Sequence, residues 1–131
     1  MTDESLVIIL PLPAKNLHPN HPIASMKGRF AKASAAKRYR KLAREHIRQE
    51  EISSAPWPHI EVQVTFYHPT KRRRDTDNAI ASIKSAYDGI VDSGLVSDDT
   101  PEYMTRREPE FKFDPEFPRI EFVLTRLERP K

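Results

Sequence analysis

The residues of this chain best suited to chemistry stand in one stretch, KRRRDTDNAIASIK, from Lys71 to Lys84. Four consecutive bases, Lys71, Arg72, Arg73 and Arg74, run directly into Asp75 and Asp77, set one residue apart. Like charges repel, so each half of the arrangement is unfavourable unless something else binds there. At the end of an extended segment residues i and i+2 share a face, which makes the two carboxylates converge. Converging carboxylates suit a hard divalent cation such as Mg2+, taken up by one or two carboxylates with phosphate oxygens and water; Mn2+ accepts the same ligands. A second acidic cluster, Ser97-Asp98-Asp99, follows the next helical pattern, a connection that can bring its acids back beside the first. Three carboxylates and an arginine run describe a metal-dependent phosphodiesterase centre. The arginines neutralise backbone phosphates, and the aspartates hold one or two ions at the scissile one.

Lys84 lies seven residues beyond Asp77. On an unbroken helix that spacing returns to within about 20° of the same direction. A lysine there can contact the scissile phosphate or offset charge in the transition state; the competing reading is an ordinary solvated lysine. Asp-Thr-Asp-Asn ahead of a helix is also good N-cap chemistry, because Asp and Asn satisfy orphan backbone N–H groups. Capping leaves the adjacent arginine run and the later Asp98-Asp99 pair without an explanation.

A second basic surface comes from the helix expected over Lys32–Gln49. It carries Lys37, Lys41, Arg44 and Arg48 on one face, opposite the core side, and Arg38 and Arg40 widen it. No acid appears in it before Glu45, which favours phosphate contact over a merely solvated face. The five histidines, His18, His21, His46, His59 and His68, show no metal-ligand spacing. Trp57, between two prolines, reads as a core residue more readily than as a base-stacking platform.

The elements that must position these groups follow from apolar periodicity. Leu6–Leu12 is a continuous apolar run closed by prolines, a buried strand, and Ala14–Phe30 is irregular and read as a loop. His59–Tyr67 alternates, with Ile60, Val62, Val64 and Phe66 on one face. Ala79, Ile80, Ile83, Ala86, Tyr87, Ile90 and Val91 form one helical stripe that Gly94 can end in a left-handed turn. Gly89, inside that stripe, points to a close packing contact. Arg119–Leu127 is the last strand, facing inward through Ile120, Phe122 and Leu124, and Tyr103–Arg107 supplies one further short strand. The order of elements implies an α+β fold: a small mixed β-sheet packed with two main helices, as a single domain over residues 1–131.

The stretches RRRDTDN and IKSAYDGIVDSGLVSDD together resemble the RusA family of Holliday-junction resolvases, especially its phage and prophage members. The shared order is a basic run, Asp-x-Asp-Asn, a lysine-bearing helix and a terminal Asp-Asp. LPLPAKNLHPN and the basic AAKRYRKLA are similar more loosely, and Glu102–Pro118 is unmatched. The resemblance implies a homodimeric, Mg2+-dependent endonuclease that cuts paired strands of a four-way DNA junction. It implies Asp75, Asp77 and Asp99 as catalytic, metal-holding aspartates, with Asp98 open as a substitute or helper for Asp99. It implies Lys84 as the catalytic lysine if three extra residues follow Asp77-Asn78; without them the matching position is Ala81. From their charge, Arg72, Arg73 and Arg74 are expected to bind DNA, with Lys37, Lys41, Arg44 and Arg48 as a second phosphate-contacting surface.

Bulk properties fit this picture without demanding it. The chain has 131 residues, enough for one domain, a net charge of +3 and a pI near 9.3, so the clustering of bases matters more than their excess. With no cysteine, a disulfide framework and thiolate metal sites are excluded. No apolar run approaches the roughly 18 residues of a membrane span, and the start is acidic, unlike a signal peptide, so a soluble, cytoplasmic protein is expected. A non-catalytic or weakly catalytic junction- or duplex-binding module is the principal rival, and a nucleotide phosphatase or acid-capped structural domain is the third class.

Overall fold

A computed structural model describes residues 4–17, 25–71 and 75–128. Five strands form one sheet in the order β1-β5-β2-β3, where β1 is Ser5–Leu10, β2 His59–His68, β3 Met104–Arg106 and β5 Arg119–Leu127. The remaining strand, β4 (Glu110–Phe113), pairs with β2 beyond the end of β3. β5 runs antiparallel to both β1 and β2, whereas β3 and β4 run parallel to β2. The sheet is mixed, as the order of elements implies.

Register aligns the apolar faces. Leu6, Ile8 and Leu10 stand opposite Leu124, Phe122 and Ile120, which in turn oppose Val62, Val64 and Phe66. Ile60, Val62, Val64 and Phe66 are each no more than 2% exposed, and Ile120, Phe122 and Leu124 are fully buried. A slip of one residue in any strand would turn its apolar set out of this core. Trp57 packs in the same core, its indole Nε1 donating to Ser54 Oγ at 2.8 Å.

The parallel pairing of β2 with β3 requires a crossover, supplied by α2 (Thr76–Ser82) and α3 (Lys84–Asp92). The apolar stripe expected as one helix is interrupted at Ile83, which stays buried but takes φ −109° and ψ 10°. Ser82 Oγ donates to the Ala79 carbonyl at 2.7 Å, the acceptor that an unbroken helix would offer to the Ile83 N–H. That N–H turns instead to Ile80 O at 3.2 Å. Lys84 therefore opens a second helix, and the two-turn alignment of Lys84 with Asp77 does not carry over to this backbone.

α1 spans Met26–Arg48 and begins six residues earlier than the Lys32 start expected from the sequence. Ser25 is its N-cap, accepting from Gly28 N–H at 3.1 Å. Met26 and Phe30 are about two-thirds exposed, so the first turns leave no buried periodicity to read. Its core side, Ala35, Tyr39, Ala43 and Ile47, packs beneath α3, and Tyr39 donates its hydroxyl to Pro11 O at 2.9 Å. Gly94 ends the crossover with φ +87°.

Arg40 fastens the two long helices with a fork, donating Nε to Asp92 Oδ2 at 2.5 Å and Nη2 to Oδ1 at 2.9 Å. The hydrogen bond to Arg40 is the main reason the Asp92 carboxyl is held below its ordinary value of 3.8. A depressed carboxyl contributes stability that is complete above that value and is lost as pH falls through the folded one. Asp92→Asn is expected to lower stability near neutrality by at most ~1 kcal/mol, the range of exposed pairs. In thermal melts across pH, the gap to the unsubstituted protein should narrow as pH falls below the ordinary carboxyl value of 3.8 and vanish once the folded-state carboxylate is protonated.

Candidate active site

The residues with chemical promise lie at the start of α2, at the α2–α3 break and in the loop between α3 and β3. Asp75 is the N-cap of α2, its backbone extended at φ −91° and ψ 116°, with Oδ1 accepting from Asn78 N–H at 3.1 Å. Capping is thus part of what Asp75 does. Asp77 is already in the first helical turn, exposed, so the two acids straddle the start of a helix and the extended-segment alternation does not relate them.

Asp98 and Asp99, in the loop after α3, differ in their surroundings. Asp98 is exposed and turns back on the backbone, Oδ1 accepting from Asp99 N–H at 2.7 Å. Asp99 is half-buried and accepts from Arg106 Nη2 at 3.1 Å through Oδ2. Arg106 stands on β3 opposite Val62, and its guanidinium lies 4.1 Å from the centroid of the Tyr87 ring. Tyr87 is 3% exposed, and burial pushes its phenol up to about 12, so the ring is neutral beneath the cation. Sequence reasoning passed over Arg106; its signal was an arginine on the helix-facing side of the short strand expected at Tyr103–Arg107.

Among the described residues no three His, Asp or Glu side chains gather closely enough to cage a metal ion. The donors that are present are nonetheless carboxylate oxygens, hard ligands of the kind Mg2+ takes, and Mg2+ needs only one or two of them when phosphate oxygens and water complete its shell. Asp75, Asp77 and Asp99 fit that chemistry by type. His59 does not join them: it is 1% exposed, with Nδ1 2.9 Å from Glu102 O and Nε2 2.7 Å from Thr105 Oγ1, a satisfied interior imidazole.

Lys84 is exposed and lies beside α1. It lines a groove of about 330 Å3 with Leu17, Lys32, Ala36 and Asp88. This groove shares Ala36, Ser85 and Asp88 with a second, of about 510 Å3, bordered by Lys37, Arg40, Lys41 and Arg44 on α1 and by Asp92 on α3. Lys84 thus stands with the bases of α1, and it forms no ion pair among the described residues. The expected basic face of α1 is present but unevenly available. Lys37 and Lys41 are exposed, Arg44 is paired with Glu45 at 2.9 Å, and Arg48 lies 3.9 Å from Glu45 and donates to Asp92 O at 3.4 Å. The expectation for Arg72, Arg73 and Arg74 lies outside the described residues.

A small α+β domain with carboxylates at the ends of its crossover helices, and a basic furrow alongside, has the makeup of a protein that handles phosphate polymers. A model of the family described as endodeoxyribonuclease RusA matches residues 13–123, and the chain belongs to that family. The match takes in Asp75, Asp77, Lys84, Asp99 and the whole of α1, and it extends across Glu102–Pro118, which the motifs alone leave unmatched. No curated protein matches the chain. No described helix is long and apolar enough to cross a membrane.

Proposed function

We propose that this protein is a Mg2+-dependent, structure-selective endodeoxyribonuclease that resolves four-way DNA junctions by paired, symmetric nicks. The observation that carries the proposal is the family match, which encloses the acidic residues and the basic furrow in one domain. Asp75, Asp77 and Asp99 would hold the metal. When bound, the ion supplies Lewis-acid stabilisation and a nucleophilic water at the scissile phosphate.

The chain's own residues have separate tasks. Asp75 and Asp77, at the start of α2, would supply the negative charge that holds a cation against a phosphate. Lys84 binds a phosphate oxygen from the furrow side and offsets the charge that develops there. Lys37 and Lys41 hold the backbone of a DNA arm, helped by Arg44 and Arg48 once their acidic partners yield, while the charge of Arg72, Arg73 and Arg74 would neutralise backbone phosphates. Paired incision on opposite strands calls for two centres related by a two-fold axis, so the working form is a homodimer.

The test is cleavage of a synthetic four-way junction against linear duplex of the same sequence, with Mg2+ and with chelator, alongside sizing of the protein in solution. Symmetric nicks that need both the branch and the ion are expected, from a dimer. Tight junction binding without nicking would favour the binding-module alternative.

The furrow gives a second expectation. Each phosphate neutralised contributes about −0.9 to the slope of log affinity against log salt on duplex DNA. Lys37→Ala with Lys41→Ala should make that slope shallower by about 2, whereas Arg48→Ala should change it less because Arg48 is already engaged with α3. Fluorescence anisotropy over a salt series reads both.

A further inference from the structure

Asp99 is held by a side-chain arm that stability alone does not explain. Its pair with Arg106 is about one-third exposed on both sides, 37% and 36%, and pairs of that kind contribute at most ~1 kcal/mol. Yet the arginine is anchored unusually well for an exposed group. β3 fixes its backbone against β2, where Ile60 to Val62 oppose Met104 to Arg106 and Arg107 N–H donates to Val62 O at 2.9 Å. Its planar head rests on the Tyr87 ring. That ring meets Phe122 edge-on, centroids 6.3 Å apart and planes at 86°, and Phe122 is fully buried. From the centre of the sheet outward, Phe122, Tyr87, Arg106 and Asp99 form one supported line.

A stacked guanidinium offers a fixed fork of donors, which a flexible ammonium cannot imitate. Here the fork takes a single carboxylate oxygen, Oδ2. Asp98, beside it, also accepts through one oxygen, Oδ1, but from the Asp99 backbone N–H, and it is exposed, with no ion pair among the described residues. We infer that Arg106 is the positioning residue for Asp99: it ties one oxygen of the carboxylate and leaves the other for the divalent cation. Because only Asp99 has such an anchored partner, it is assigned, over the exposed Asp98, as the acid contributed by this loop.

The inference rests on Asp99 being a metal-holding residue, and its test separates the two claims. Mn2+ binding is measured by water-proton relaxation on the metal-free protein without DNA, and the Mg2+ midpoint of junction cleavage is measured in parallel. Partners that orient a metal ligand typically account for 10–100-fold in metal affinity. Arg106→Lys and Arg106→Gln are each expected to weaken Mn2+ binding by about tenfold and to raise the Mg2+ midpoint to match. Excess Mg2+ should restore the cleavage rate, junction affinity in chelator should hold for Arg106→Lys, and thermal melts should move little. Asp99→Asn should lose more Mn2+ affinity than either, and Asp98→Asn should lose little. Wild-type Mn2+ affinity and an unchanged midpoint in both Arg106 variants, with Asp99→Asn impaired, would overturn the positioning role alone. An Asp99→Asn protein that binds Mn2+ as the parent does would overturn the role of Asp99 as well.

Discussion

Asp77→Asn is expected to abolish junction cleavage while leaving the fold and DNA binding in place. The amide is isosteric, keeps a polar group in the first turn of α2, and removes the charge that a cation needs. A bound metal supplies several kcal/mol of transition-state stabilisation, and each ~1.4 kcal/mol is tenfold in rate, so the loss should be about a thousandfold or more. Binding in chelator should hold or tighten, because one negative charge facing phosphate has gone. Single-turnover cleavage of a labelled junction, paired with a gel-shift titration, reads the two quantities separately. A variant that cuts at the parental rate would remove Asp77 from the chemistry. Asp75→Asn is the less clean companion, since Asp75 also caps α2 and its amide would weaken that bond as well.

Gly89→Ala is expected to destabilise the domain, although alanine is the better helix former by about 1 kcal/mol. A Cβ on Gly89 would fall against the Arg40 carbonyl oxygen and lie 3.0 Å from Ala43 Cβ. The obstacle is backbone, which cannot swing aside as a flexible side chain would, so α1 and α3 must separate where the Arg40–Asp92 fork also joins them. Overpacking of this kind costs about 3 kcal/mol at the upper end of its usual range, leaving a net loss of about 2 kcal/mol. For a domain of this size that corresponds to a drop of about 8 °C in melting temperature. Gly94→Ala offers a contrast, because nothing lies within 4 Å of its added carbon and the cost is the φ of +87° alone. That should be about 1 kcal/mol, so the two melts should differ visibly.

The sheet was legible because its signal is dense. β2 and β5 alternate over nine or ten residues with large apolar groups on one face, and the expected Arg119–Leu127 is the observed strand. β4 was missed for the opposite reason: of Glu110 to Phe113 only Phe111 is partly buried, and a four-residue strand with one packed side chain has no period to detect. Gly89 signals a close contact in the sequence without naming the partner, since a glycine inside an apolar stripe needs a neighbour to justify it; that neighbour is the Arg40 carbonyl. The break at Ile83 escaped notice because the apolar stripe runs through it, and its cause is a single serine hydroxyl.

The site divides in the same way. Residue types were readable, since an acid pair, a basic run and a later Asp-Asp have few uses together. Relative placement was not, because it depends on the break at Ile83, which gives Lys84 its own helix and sets it against α1. For Arg106 the sequence carries only its place on the expected short strand; the contact that singles it out forms when β3 brings it over Tyr87. The distinction between Asp98 and Asp99 likewise appears only in their hydrogen bonds.

The most direct test is an anomalous-scattering map of crystals grown with Mn2+ and a four-way junction. An ion should lie among Asp75, Asp77 and Asp99, about 2.1 Å from carboxylate oxygens if it keeps Mg2+-like coordination, with a junction phosphate completing its shell. Density at some other place, or an ion bound while neither oxygen of Asp99 reaches it, would contradict the proposed metal centre.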